Sequence, residues 1–173
     1  MNKALLFVFF STITLAACGI TPVKYNLTTS FNAEQAQALL LDGANTIKGS
    51  ALLRQRGGGV VTCAGKAVQL TPATAYADER MTAIYGASDY GYRPVIPAIQ
   101  FEFTDPRYLS FSKKTICDAQ GFFKFSNIAD GTFYVTTDIV WQVSSDAIFP
   151  EGGYVMKKIT VKNGETSEIV LTQ

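Results

Sequence analysis

The sequence has no histidine among its 173 residues. Histidine is the commonest general base near neutral pH, so its absence excludes Ser-His-Asp and Cys-His catalysis. Most zinc and non-haem iron sites also need imidazole ligands. Two carboxylates alone could serve a glycosidase, but the sequence predicts no cleft-forming architecture for one. We therefore expect no catalytic residue, no metal site and no cofactor.

Excess charge of one sign and long hydrophobic runs are also missing. The chain has 15 basic and 14 acidic residues, which gives a net charge of +1. A nucleic-acid partner calls for a strongly basic face, so none is predicted. A membrane-spanning helix needs about 20 apolar residues. The apolar run near the N-terminus is shorter than this, and no later stretch is long enough either.

The N-terminal residues have the charged, apolar and small-residue order of an export signal. Lys3 supplies the positive charge, residues 4–10 are apolar, and the segment ends in Leu15-Ala16-Ala17-Cys18. That quartet resembles the bacterial lipobox, in which the cysteine thiol receives diacylglycerol before cleavage and the new amine is then acylated, as with palmitate. The resemblance implies a signal peptide over residues 1–17 and a lipid-carrying Cys18. An ordinary export signal with a chance cysteine is the alternative.

Lipidation would make a membrane the first partner of the chain and would place the protein in the bacterial cell envelope. Gly19 stands where an aspartate would resemble an inner-membrane retention mark, so the outer membrane is favoured. Residues 18–31 contain Thr21-Pro22 and a run of Thr and Ser, and we predict that they form a lipidated, flexible tether. Residues 32–173 are then enough for one domain.

With Cys18 lipidated, two cysteines remain. An even pair in an exported chain favours a disulfide between Cys63 and Cys117. It would close a loop of about 55 residues, for which the chain-entropy model gives at most about 4 kcal/mol of stabilisation. Two free thiols or a metal-binding pair are the alternatives.

Helical spacing is limited to short segments, whereas much of the remaining sequence has the pattern of strands. Residues 32–41 are predicted to form a helix, because Asn32 can cap its first turn. Residues 132–143 are rich in β-branched and aromatic side chains, which favours a strand. Asn163-Gly164 between two further runs predicts a closing hairpin over residues 154–171.

Residues 117–135 carry an aspartate, two spacers, a glycine and then aromatics at alternating positions. This pattern is similar to the signature of carboxypeptidase regulatory-like domains, and the matching residues are Asp118, Gly121, Phe123, Phe125, Ile128, Gly131, Phe133 and Val135. The resemblance implies a mainly β fold, namely a transthyretin-like Greek-key β-sandwich of about seven strands with a short N-terminal helix and a partly helical insertion. The shared residues turn the chain or fill the core, so none implies catalysis.

The sequence departs from this family pattern in an insertion over about residues 74–108. Within it, residues 76–84 could form a helix and residues 86–97 a long loop. Five aromatic or basic side chains here are candidates for binding a partner or ligand: Tyr85, Tyr90, Tyr92, Arg93 and Tyr108. Stacking tyrosines beside an arginine could hold a sugar, a peptide strand or a partner protein. The alternative is that the tyrosines form a lid over one sheet.

Two further features favour structural interpretations. Four carboxylates could offer oxygen ligands to calcium, but no calcium-loop pattern is present and a solvated face is favoured. They are Asp78, Glu79, Asp89 and Asp105. Trp141 lies at period two with apolar neighbours, which predicts that it is buried in the core.

Together these features predict a membrane-anchored, non-enzymatic envelope lipoprotein that acts as a binding or structural module. Its second partner would be an envelope protein or a glycan. One alternative is a lipoprotein component of a secretion or pilus-type assembly. Another is a carbohydrate-binding accessory protein.

Overall fold

The structure is a computed structural model that describes residues 20–173. The predicted signal peptide and Cys18 lie outside these residues. Within them, no helix is long and apolar enough to cross a membrane. The strands are β1 (Val23–Tyr25), β2 (Asn45–Arg54), β3 (Val60–Thr62), β4 (Ala67–Pro72), β5 (Tyr90–Pro94), β6 (Ile99–Phe101), β7 (Lys113–Ile116), β8 (Phe122–Ile128), β9 (Gly131–Trp141), β10 (Glu151–Val161) and β11 (Thr166–Leu171). The helices are α1 (Ala33–Leu40) and α2 (Ala75–Tyr85), and a 3-10 turn covers Tyr108–Ser110.

Two sheets pack face to face and form a β-sandwich. The larger sheet has five strands in the order β5-β10-β9-β4-β7. In the smaller sheet, β2 pairs in parallel with β11 and antiparallel with β3 and β8. The predicted mainly β sandwich with short helices is therefore confirmed. It has more strands than the about seven expected, because β3 and the insertion strand β5 also join the sheets.

Side chains that alternate inward from both sheets fill the space between them. Phe123 and Phe125 on β8 are each only 4% exposed, and Phe133 and Val135 on β9 are fully buried. The predicted disulfide between Cys63 and Cys117 is confirmed and lies in this core, with its Cα atoms 5.8 Å apart. It links the residue directly after β3 to the residue directly after β7.

The other face of the larger sheet is buried as well. Tyr134 and Met156 alternate with the sandwich residues of β9 and β10 and are 0% and 1% exposed. They pack against α2 in a second hydrophobic cluster, called here the outer core, whose other members are Phe31, Ala36, Tyr76, Ala77, Met81 and Tyr108. The insertion thus covers one face of the sheet, as the lid alternative for its tyrosines proposed.

The segment before α1 does not run free, which differs from the flexible tether expected over residues 18–31. Strand β1 pairs in parallel with β6, with Val23 opposite Ile99. Thr28 and Thr29 donate backbone hydrogen bonds of 2.8 and 2.7 Å to the Glu79 carboxylate. Phe31 packs edge-on against Tyr76 in the outer core. Composition alone did not predict this docking, because the groups that hold the segment are distant in sequence and most of them lie in the insertion.

Two local interpretations of the sequence are wrong. Residues 86–97, expected as a loop, include strand β5, which pairs along β10 at the sheet edge. The expected hairpin over residues 154–171 does not form, because β10 lies in the larger sheet and β11 pairs with β2 in the smaller one. The chain therefore crosses from one sheet to the other between these strands. The turn residues Asn163 and Gly164 do have the positive φ angles of 60° and 73° that suit a tight turn. Alternation identifies a strand, but it does not select the partner strand.

The buried side-chain amide of Asn45 connects the β10–β11 turn to the neighbouring chain segments. Asn45 is fully buried, and its Nδ2 donates to the carbonyl of Ile128 and to the Asp130 carboxylate, each at 2.9 Å. Its Oδ1 accepts a hydrogen bond of 3.0 Å from the backbone N–H of Glu165. The amide therefore satisfies its own polar atoms and joins three chain segments at one end of the sandwich.

The docking of the N-terminal segment should depend on the charge of Glu79. Hydrogen bonds from the Thr29 side chain and from the backbone of Thr28 and Thr29 lower the Glu79 pKa from 4.5 to about 2. A lowered carboxylate pKa stabilises the docked state above pH 4.5, and this is lost as the pH falls toward about 2. We expect the Thr28 and Thr29 amide chemical shifts to titrate with a midpoint near 2 in NMR spectra.

Glu79→Gln should abolish that titration and raise amide exchange across β1. Glu168→Gln is the matched control, because Glu168 forms an exposed ion pair with Lys48 on the smaller sheet. It should leave both signals unchanged. A midpoint near the ordinary glutamate value would contradict the docking.

Candidate functional site

Strand β5 has a cleft on each of its faces. Successive side chains of a strand point to opposite sides, so Tyr92 faces the sandwich interior and Arg93 faces α2. We call the first the inner cleft and the second the outer cleft. Of the five insertion residues predicted as one site, Tyr92 lines the inner cleft, and Tyr85 and Arg93 line the outer cleft.

The inner cleft lies at an open end of the sandwich and has a volume of about 490 Å³. Its walls come from the ends of both sheets: the β2–β3 turn on one side, and the ends of β5, β9 and the start of β10 on the other. The polar and aromatic side chains that line it are Arg54, Gln55, Arg56, Tyr92, Trp141 and Glu151. A planar ligand could thus meet two aromatic rings and several charged or amide groups in one place.

Two glycines of β10 position the aromatic rings. Tyr92 on β5 donates a hydrogen bond of 3.2 Å from its hydroxyl to the carbonyl of Gly152. Gly152 has a φ of +92°, and a Cβ there would lie 2.7 Å from the Trp141 ring. A Cβ on Gly153 would lie 2.9 Å from the Tyr92 ring. Both rings therefore pack on β10 where it has no side chain. A larger residue at Gly152 or Gly153 would displace the ring beside it.

Trp141 differs from the expectation of a core residue. It packs against the sandwich core but stays partly exposed along the wall of the inner cleft. The reason is its position as the last residue of β9, where the strand ends at the cleft. Its indole N–H is buried and has no hydrogen-bond partner among residues 20–173. Unpaired buried donors are rare and often mark a place where a ligand or water completes the bond.

Charges surround these rings. Burial, and then the negative charge of Glu151, raises the pKa of the Tyr92 hydroxyl, so that it stays a neutral donor. Arg54 and Arg56 form none of the ion pairs found in the described part of the chain. Their donors remain available to an incoming group.

The outer cleft is smaller, at about 260 Å³. Arg80 on α2 and Arg93 on β5 supply its charge, while its wall includes Tyr85 and Tyr154. Burial raises the pKa of the Tyr85 hydroxyl, and the nearby positive charge of Arg93 partly opposes this effect. The hydroxyl is therefore uncharged at neutral pH.

Two of the predicted tyrosines lie in neither cleft. Tyr108 is 7% exposed and belongs to the outer core, where it packs on Phe31 at 5.6 Å between ring centroids. Tyr90 is 66% exposed near the opposite end of the edge strand. The sequence could not separate these cases, because all five residues belong to one continuous aromatic segment.

The carboxylates considered for calcium are not brought together. Asp78 is bound by Lys158 at 2.7 Å and by the Tyr134 hydroxyl, which links α2 to the larger sheet. Glu79 holds the N-terminal segment, and Asp105 pairs with Arg107 at 2.7 Å. Residues 20–173 contain no group of three or more side chains that could hold a metal ion.

Several lining residues were missed by sequence reasoning. Arg54 and Arg56 lie far from the aromatic segment in sequence, whereas Arg80 lies within the insertion, in the stretch expected to form a helix. One signal could have found the first two: they directly precede the turn at Gly57–Gly59, and loops often carry binding residues. Arg80 was missed because the binding candidates predicted within the insertion begin only at Tyr85.

Comparison with known proteins identifies structural similarity but no family. No protein-family model matches the chain, and no curated protein is significantly similar to it. The resemblance to carboxypeptidase regulatory-like domains therefore remains a prediction. The chain is similar to a crystal structure from Pseudomonas aeruginosa, described as a "putative carbohydrate binding protein". The TM-score is 0.70 at 27% identity, over 84% of this chain and 99% of that one.

Gly152→Ala should disturb the inner cleft. The new Cβ would clash with the Ile139 carbonyl oxygen and with the Trp141 ring, and the φ of +92° is unfavourable for alanine. We therefore expect a loss of at least about 2 kcal/mol in the free energy of unfolding. Trp141 is the single tryptophan of the chain, so a shift in its fluorescence reports the displaced ring directly.

Gly57→Ala is the matched control, because a Cβ there has no atom within 4 Å. It should change neither stability nor fluorescence appreciably. Equal effects of the two substitutions would contradict the close packing of Trp141 on β10.

Proposed function

We propose that this protein is a non-enzymatic carbohydrate-binding module whose inner cleft holds a sugar, and that a lipid on Cys18 anchors it to a membrane of the bacterial cell envelope. The observation that carries the sugar-binding part is the pairing of Trp141 and Tyr92 with guanidinium, amide and carboxylate groups in one open cleft. Sugar rings present C–H faces that pack on aromatic rings and hydroxyls that need planar polar partners.

The size of the inner cleft suits this ligand class. Its volume of about 490 Å³ falls within the range of about 300–1,000 Å³ usual for small-molecule sites. The unpaired Trp141 N–H supplies a donor that a sugar hydroxyl could satisfy after a small movement of the ring. Arg54, Arg56 and Gln55 add donors on the facing wall.

Binding is favoured over hydrolysis by the composition of the lining. Hydrolysis of a glycosidic bond normally uses two carboxyl groups on either side of the bond. Glu151 is the only carboxylate side chain among the described residues that line the inner cleft. The description of the structural relative as a carbohydrate binding protein supports the same class of ligand. This description favours carbohydrate binding over a role as a lipoprotein component of a secretion or pilus-type assembly.

The docked N-terminal segment changes the geometry that a lipid anchor would impose. Only the residues from Cys18 to Val23 separate the lipidation site from β1, since β1 is already paired with β6. A fully extended chain reaches at most about 3.6 Å per residue, or about 18 Å over this distance. A lipid on Cys18 would therefore hold the β1–β6 edge close to the bilayer.

Sugar binding can be tested with the fluorescence of Trp141. We expect a neutral sugar selected on a glycan array to change its emission, and Tyr92→Ala to weaken binding at least tenfold because the stacking ring is lost. Tyr90→Ala is the matched control and should bind as the unmodified protein does, since Tyr90 lies outside both clefts. Unchanged binding by Tyr92→Ala, or no neutral sugar on the array, would overturn the proposal.

The lipid anchor can be tested on protein made from the full chain in a bacterial host. The product should partition into detergent, and its intact mass should correspond to an N-terminal Cys18 with added diacylglycerol and acyl groups. Cys18→Ala should lose the lipid mass. A mature chain that begins at another residue, or that carries no lipid, would contradict the anchor.

A further inference from the structure

Two guanidinium groups in the outer cleft have no carboxylate partner. Residues 20–173 contain five ion pairs, and neither Arg80 nor Arg93 belongs to any of them. Arg80 donates to the Thr104 hydroxyl at 3.1 Å, and Arg93 donates to the carbonyl of Pro97. A guanidinium has five N–H donors, so most remain free on both side chains.

The surrounding structure holds these charges in place. The Arg80 guanidinium lies 3.9 Å from the centroid of the Phe101 ring, which is a favourable cation–π distance. Arg93 is fixed by the pairing of β5 with β10, where it lies opposite Tyr154. Both side chains are partly buried, and a half-buried charge without a counter-charge is costly. An incoming anion would remove that cost without large movement.

The rest of the outer cleft is suited to an uncharged ring. Ile84, Ile99 and Phe101 form apolar wall, and the Tyr85 and Tyr154 side chains lie beside them. A volume of about 260 Å³ lies just below the range of about 300–1,000 Å³ usual for small-molecule sites, so the cleft has room for a single ring only. Planar guanidinium groups match carboxylate geometry, because two parallel N–H donors can meet its two oxygens.

We infer that the outer cleft is a second binding site, which takes a sugar acid and holds its carboxylate between Arg80 and Arg93 while the ring rests on the adjoining apolar wall. This inference rests on the proposed function only in taking the ligand to be a sugar. The site is distinct from the inner cleft, because the two open on opposite faces of β5.

The test is an NMR titration of the folded domain with D-glucuronate, with D-glucose as the uncharged counterpart. Glucuronate should shift the amides of residues 80–85, 93 and 154, and glucose should not. Arg93→Gln should weaken glucuronate binding at least tenfold, and Arg93→Lys should restore part of it by returning the charge. The amide spectra of both variants show directly whether the fold is kept.

Tyr92→Ala separates this inference from the proposed function. It should leave glucuronate binding unchanged, since Tyr92 faces the inner cleft. Loss of glucuronate binding in Tyr92→Ala with full binding in Arg93→Gln would place the acid in the inner cleft and overturn the inference alone. If inorganic sulfate competed equally well with glucuronate, the outer cleft would be a site for any anion. If glucuronate shifted no amide signal, the outer cleft would not be a binding site. Either result would overturn the inference while leaving neutral-sugar binding at the inner cleft to its own test.

Discussion

Burial of the larger sheet on both faces is the constraint on which the rest of this structure depends. Phe133, Tyr134 and Val135 follow one another on β9, and all three are fully buried although they point alternately to opposite sides. Full burial of each large apolar side chain contributes about 1.5–3 kcal/mol. The sheet therefore needs a second layer, and α2 with the N-terminal segment provides it.

The insertion is consequently part of the folded core. Tyr134 reaches the Asp78 carboxylate through its hydroxyl, and Lys158 on β10 contacts the same carboxylate. These bonds tie α2 to two central strands, and Glu79 one residue later holds the N-terminal segment. A helix fixed in this way carries Arg80 at a defined place beside β5. A binding site built on rigid elements keeps its geometry better than one built on a free loop.

The edge strand β5 borders a cleft on each of its faces, because the larger sheet is covered on both sides. Its inner face borders the inner cleft, and its outer face borders the outer cleft beside α2. The glycines at positions 152 and 153 make the inner site possible, because rings from the two flanking strands can lie on β10 only where no side chain is present. Val95, just beyond β5, lines both clefts.

The sequence by itself determined the local features: the strand alternation, the Asn32 cap of α1, the Asn163-Gly164 turn and the even pair of cysteines in the sandwich. It also directed attention to the segment that carries Tyr85, Tyr92 and Arg93. Only the tertiary structure decided which strands pair, that β10 and β11 belong to different sheets, and that residues from Val23 onward dock on the insertion. It also decided that Tyr108 is buried while Trp141 lines a cleft. The physical reason is that turns and periodicity depend on neighbouring residues, whereas the exposure of a side chain depends on which distant segment covers it.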